Sequence, residues 1–116
     1  MPKVMHFELI AKDTKKLKAF FSSLFGWRPE DYPGMDYSMM QADGNGGING
    51  GIGSEGTGLP SGLAVYVQVD DVDRSLEQAR RLGATKVLQE PYDIPGVGRF
   101  AVFNDPEGNR IGLWKP

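Results

Sequence analysis

His6 is the single histidine of this sequence, and Glu8 follows two residues later. Both stand in Val-Met-His-Phe-Glu-Leu, residues 4–9. In an extended strand that alternation sends His6 and Glu8 to one face and Met5, Phe7 and Leu9 to the other. An imidazole beside a carboxylate offers two chemistries. One is acid–base work near neutral pH, and the other is a nitrogen and an oxygen donor for a divalent ion. Side chains at i and i+2 leave the backbone about 7 Å apart, so direct contact requires both to lean together. The alternative is a polar pair satisfied by its own hydrogen bonds, because proximity alone creates no reaction.

Composition narrows the setting. The chain has 116 residues, 40% of them hydrophobic, enough for one compact domain with its own core. A formal charge of −2 leaves no basic footprint, so nucleic acid is not an expected partner. Lys12, Lys15, Lys16 and Lys18 recur at helical spacing and read as a solvated face. The absence of cysteine excludes disulfides, thiolate metal sites and cysteine nucleophiles together. No apolar run approaches the roughly 20 residues that cross a bilayer, and no signal-peptide pattern opens the chain. The expectation is a cytoplasmic protein without a membrane partner. Many of the 16 glycines gather in residues 43–58, Asp-Gly-Asn-Gly-Gly-Ile-Asn-Gly-Gly-Ile-Gly-Ser-Glu-Gly-Thr-Gly. With no Lys-Ser/Thr ending and no helix after it, this tract is a poor phosphate loop and reads equally as a linker.

The elements that must position His6 and Glu8 come in two similar halves. After the first strand, Asp13 is placed to cap a helix. Leu17, Phe20, Phe21, Leu24 and Phe25 form its apolar stripe, read as core, and Gly26 closes it. The same order follows the glycine tract. Residues 62–69 alternate as a strand, and Asp71 is the matching cap. Val72, Leu76, Ala79 and Leu82 form the second stripe, read as buried, and Gly83 ends the helix. Aligning Asp13 with Asp71 sets His6 opposite Ala64. Strand-like pieces follow each helix, at 36–42 and about 46–52 in the first half and at 85–91, 98–105 and 109–114 in the second. Asp-Pro-Glu-Gly-Asn, 105–109, has hairpin-turn chemistry. The pattern is βαβββ twice, module one about 1–57 and module two about 58–116. That is an α+β architecture, with the two modules expected to pair curved mixed sheets around one cleft.

This arrangement resembles the vicinal oxygen chelate superfamily, which includes glyoxalase I, bleomycin-resistance proteins and extradiol dioxygenases. The likeness rests on His6, Asp13, Phe20-Phe21 and Leu-Phe-Gly-Trp at 24–27. It rests equally on Val-Asp-Asp-Val-Asp-Arg-Ser-Leu-Glu-Gln-Ala-Arg-Arg-Leu-Gly-Ala at 69–84 and on Asp-Pro-Glu-Gly-Asn-Arg-Ile-Gly-Leu at 105–113. In metal-using members the resemblance implies two histidines and two glutamates around a divalent ion. Carried onto this chain, the first histidine is His6, the second position is Ala64, and the closing glutamate position is Gly112. The remaining glutamate belongs within 49–53, Asn-Gly-Gly-Ile-Gly. One ligand of four is present, so no complete metal centre and no cofactor is expected.

Alternation then names other residues of the same cleft. Tyr66 and Gln68 accompany Ala64, and Arg110 and Trp114 accompany Gly112. From residues 36–42 either Tyr37, Met39 and Gln41 or the intervening set points inward. The expected ligand contacts are His6, Glu8, Tyr66, Gln68 and Trp114, a set suited to a small, partly aromatic molecule. Trp114 reads equally as a cover over the end of the core. Arg99 either reaches a ligand carboxylate or starts a strand at the surface. Three functions follow: a metal-free small-molecule binding protein; a lyase, isomerase or dioxygenase-like enzyme using a metal or His6 and Glu8; and an accessory protein-interaction module. The resemblance implies a homodimer under all three.

Overall fold

The computed structural model describes every residue except Met1, Asp43 and Asn45, together with all side chains of the elements other than that of Thr57. Module one runs β1 (Lys3–Ala11), α1 (Thr14–Phe25), β2 (Glu30–Asp31), β3 (Tyr37–Met40) and β4 (Asn49–Ser54), followed by a short 3-10 turn at Glu55–Thr57. Module two runs β5 (Gly62–Gln68), α2 (Val72–Leu82), β6 (Lys86–Ile94), β7 (Gly98–Asn104) and β8 (Arg110–Lys115). Each is therefore the expected βαβββ unit, and the fold is α+β. The chain divides into two compact units: residues 6–63, and residues 64–116 with the N-terminal residues up to Met5.

The two modules share one topology. In module one the strand order is β2-β3-β4-β1, with β1 parallel to β4 and the other pairs antiparallel. In module two the order is β5-β8-β7-β6, with β5 parallel to β8 and the rest antiparallel. Both helices start and stop where the sequence predicts. The Asp13 carboxylate accepts the Lys16 N–H at 3.0 Å, and the Asp71 carboxylate accepts the Arg74 N–H at 3.0 Å. Each such cap contributes about 1 kcal/mol. Gly26 and Gly83 end the helices at φ +71° and +114°, a conformation that glycine adopts without a Cβ penalty. The 105–109 turn is held by Asp105, whose side chain accepts from the backbone N–H of Glu107 and of Asn109.

Packing departs from the sequence reading in several places. No residue of α1 is buried, and Phe20, Leu24 and Phe25 are each more than half exposed. The helix packs over β4, while Phe21 stacks on Phe25 and on Trp27 and Phe25 tilts against Trp27, so these rings pack largely on one another. In α2, Val72 and Leu76 enter the core with Ala101 and Leu113, as predicted, but Leu82 is 82% exposed. Leu82 sits at the helix terminus, about 80° round the axis from Val72 at 100° per residue, beyond the edge of the sheet contact. Lys18 is no free solvated charge. It donates to the Ser38 hydroxyl at 3.2 Å and pairs with Asp31 at 3.4 Å. Strand β6 runs on through Pro91 to Ile94. It is the outermost strand of the module-two order, where a missing ladder donor is tolerated, and its register shifts on both sides of Gln89. No helix among the described residues is long and apolar enough to cross a membrane.

Candidate functional site

In module one the structure joins His6 and Glu8 through a third residue. Tyr37 lies on β3, and β4 intervenes between β3 and β1. Its ring must therefore span two interstrand spacings, about 10 Å in all. It does so by lying flat over β4, on the sheet face away from α1. Gly51 and Gly53 make the crossing feasible. A Cβ at Gly51 would fall on the Tyr37 hydroxyl and ring, and one at Gly53 would meet the ring at 2.9 Å. The phenol donates to Glu8 Oε2 at 2.9 Å and lies 2.9 Å from His6 Nε2. One hydroxyl carries one proton, so with Glu8 ionised Tyr37 accepts from His6, the tautomer with the proton on Nε2 and the lone pair on Nδ1.

Glu8 is buried and His6 half-buried, so the relay sits in a poor solvent for charge. Burial holds the His6 pKa down from 6.5 to about 4. The imidazole is thus neutral at physiological pH in the folded protein. Between pH 6.5 and 4 the unfolded chain binds a proton that the folded chain refuses, so stability falls as the pH is lowered through this window. At about 1.4 kcal/mol per pH unit the loss approaches roughly 3 kcal/mol by pH 4. Because no other histidine is present, one imidazole resonance in an NMR titration reads this directly. A midpoint near 4 is expected, and one at 6.5 contradicts the assignment.

Module two builds its corresponding face from aromatic side chains. Tyr66 of β5 is level with Gly112 of β8, and a Cβ at Gly112 would fall on the Tyr66 ring. Tyr66 meets Phe100 edge to face at 6.2 Å between centroids, and Phe100 stacks on Trp114 at 6.4 Å and packs on Tyr92 at 5.9 Å. The Trp114 indole N–H donates to the Val97 carbonyl at 3.3 Å. Gln68 is level with Trp114 in the parallel pair and is half-buried. Ala64 is buried on the same side of β5 as Tyr66. Arg110 shares the Gly112 and Trp114 side of β8. Its Nε and Nη1 atoms are enclosed and have no hydrogen-bond partner.

Arg99, by contrast, is fully engaged at the surface, with Nε and Nη2 on the Asp73 carboxylate and Nη1 on Asp93. Of the two readings of Arg99, the structure shows the surface one, with its guanidinium paired to carboxylates. From residues 36–42 the set that accompanies His6 and Glu8 is the one containing Tyr37. Sequence reasoning missed the Tyr37 bridge, although a Gly-x-Gly spacing inside a strand was a signal that a large side chain crosses it. Alternation did place Arg110 beside Gly112 and Trp114, but the enclosure of its guanidinium without a partner is visible only in the structure.

The metal set implied by the resemblance can be tested on these residues. Within 49–53 the one side chain with a donor oxygen is Asn49, which accepts the Ala42 N–H at 2.8 Å. At Gly51 and Gly112 the space a carboxylate would enter is filled by the Tyr37 and Tyr66 rings. Ala64 has no donor. Among the described residues no three His, Cys, Asp or Glu side chains are grouped to hold a metal ion. The residues present do not fit a resident divalent ion.

Two βαβββ modules, each closing its first strand parallel to its last, define the glyoxalase, bleomycin-resistance and dioxygenase class of fold. The chain belongs to the glyoxalase-like domain family, matching it over residues 5–114. It is 34% identical over 116 residues to CFP32 of Mycobacterium bovis, which carries a provisional glyoxylase name, covering 93% of this chain and 43% of that protein. It is 29% identical over 125 residues to the anthracycline biosynthesis protein DnrV of Streptomyces peucetius, covering 94% and 45%. The chain thus spans less than half the length of these relatives. A solved glyoxalase/bleomycin resistance protein/dioxygenase superfamily member from Vibrio splendidus 12B01 shares the fold, with a TM-score of 0.68 at 16% identity and coverage of 99% and 98%.

Proposed function

We propose that this chain binds a small, partly aromatic organic molecule and does so without a resident metal ion. In module two the contacting residues are Tyr66, Gln68 and Trp114. Module one carries its own polar group, His6 and Glu8 coupled by Tyr37. The observation that carries the reading is that phenol rings roof Gly112, where the resemblance puts the closing glutamate, and Gly51, within the 49–53 stretch where it puts the other. That exchange trades charged oxygen donors for aromatic surface, which suits a flat apolar ligand better than a cation. The likeness to a protein named for anthracycline biosynthesis supports an aromatic ligand, since anthracyclines are fused-ring aromatic compounds.

The test uses the Trp27→Phe variant, in which Trp114 is the remaining indole. Titration with a panel of aromatic acids, phenols and quinones, in EDTA, is expected to change Trp114 emission saturably for at least one class. The same compounds should raise the melting temperature. Binding that appears only when Ni²⁺, Zn²⁺, Mn²⁺ or Fe²⁺ is added contradicts the reading. A second reading, a proton-transfer enzyme, is favoured by the His6–Tyr37–Glu8 relay. Under it, turnover of a bound ligand is lost in His6→Ala while binding persists.

A further inference from the structure

Arg110 is the one arginine of the described residues whose enclosed guanidinium atoms have no protein partner. Other arginines of module two are well used. Arg80 is held by Glu77 and Glu90, and Arg99 by Asp73 and Asp93. Enclosing N–H groups of a fixed cation without an acceptor works against folding, because their hydration is lost and nothing replaces it. A residue that costs stability is best explained by what it does when something else is bound. Nearby positions explain why the side chain can lie inward. Arg110 precedes Ile111, which is level with Val65, so Arg110 itself falls level with Ala64. The alanine methyl leaves room on that face, and Gly112 adds no side chain of its own beyond the Tyr66 ring above it.

From this arrangement we infer that Arg110 is the anion-receiving group of module two, so that the small molecule is an organic carboxylate. This rests on the small-molecule reading above and deepens it. A guanidinium offers parallel N–H donors in a plane, which matches the two oxygens of a carboxylate. The aromatic face formed by Tyr66, Phe100 and Trp114 runs along the same side of the sheet. One end of the ligand is then anionic and the other is flat and apolar.

The experiment compares 1-naphthoate and 2-naphthoate with the corresponding neutral naphthamides, using calorimetric titration of the wild type, Arg110→Gln and Arg110→Lys. The inference expects a naphthoate to bind the wild type at least tenfold tighter than its amide. Arg110→Gln should remove that preference and leave amide binding within twofold, and Arg110→Lys should keep part of it. It also expects Arg110→Gln to melt at or above the wild-type temperature, since an unpartnered cation is removed. A lower melting temperature in Arg110→Gln, with naphthoate preference retained, overturns the inference and makes the residue structural. Equal binding of acids and amides to the wild type overturns it too, while the small-molecule reading stands. No binding of either series overturns both.

Discussion

Gly51→Ala is expected to destabilise the protein by about 3 kcal/mol, the upper range for overpacking a tightly filled position. The added Cβ would fall on the Tyr37 hydroxyl and ring, and the ring cannot simply tilt away. Its oxygen is fixed between His6 and Glu8 by two 2.9 Å contacts. Displacing the ring therefore also strips the buried Glu8 carboxyl of this donor. Thermal unfolding should show a fall of roughly 10 °C or more for a chain of this size. Tyr37→Phe isolates the hydrogen-bond part, with an expected loss of about 2 kcal/mol, as for a bond to a charged or buried partner. The decisive control is the pair Gly51→Ala with Tyr37→Ala. With the ring gone, the methyl has space, and a coupling of at least about 1 kcal/mol separates this crowding from a generic glycine effect. A Gly51→Ala variant that unfolds like the wild type contradicts it.

Gly112→Ala carries the second large effect, because the same crowding recurs in module two with a different readout. Its Cβ would meet three ring carbons of Tyr66, a residue only 6% exposed. Strand β8 lies between β5 and β7 in the module-two order, so the backbone has no outer edge toward which to shift. A loss of about 3 kcal/mol is again expected. Tyr66 also props Phe100 edge to face, and Phe100 stacks on Trp114. Movement of the Tyr66 ring should therefore reach the indole and alter its emission in the Trp27→Phe background. Ligand titration should weaken in parallel. Unchanged stability together with unchanged Trp114 emission would sink the claim that a phenol occupies the place of the missing side chain.

Much of the architecture was legible because its signals are local. Asp13 and Asp71 before apolar stripes, and Gly26 and Gly83 after them, place both helices through capping chemistry that needs no tertiary context. Alternation at 62–69 and the 105–109 turn did the same for β5 and for the β7–β8 hairpin. What escaped depends on which surface an element meets. The α1 stripe reads as core, yet Phe20 and Phe25 stand more than half exposed. The site divides along the same line. His6 and Glu8 share a face by strand geometry alone, whereas their connection requires a residue some thirty positions away to cross an intervening strand. Arg99 and Arg110 are alike as sequence, and only the acidic neighbours of one and the enclosure of the other tell them apart.

Phenols and small residues, on this reading, occupy the places of the family's metal ligands, and metal content of the purified protein tests that most directly. After incubation with excess Ni²⁺, Zn²⁺, Mn²⁺ and Fe²⁺ in turn and removal of free ion, elemental analysis should find far less than one equivalent bound. His6→Ala should leave that residual amount unchanged. One tightly held equivalent of any of these ions, lost in His6→Ala, would contradict the reading.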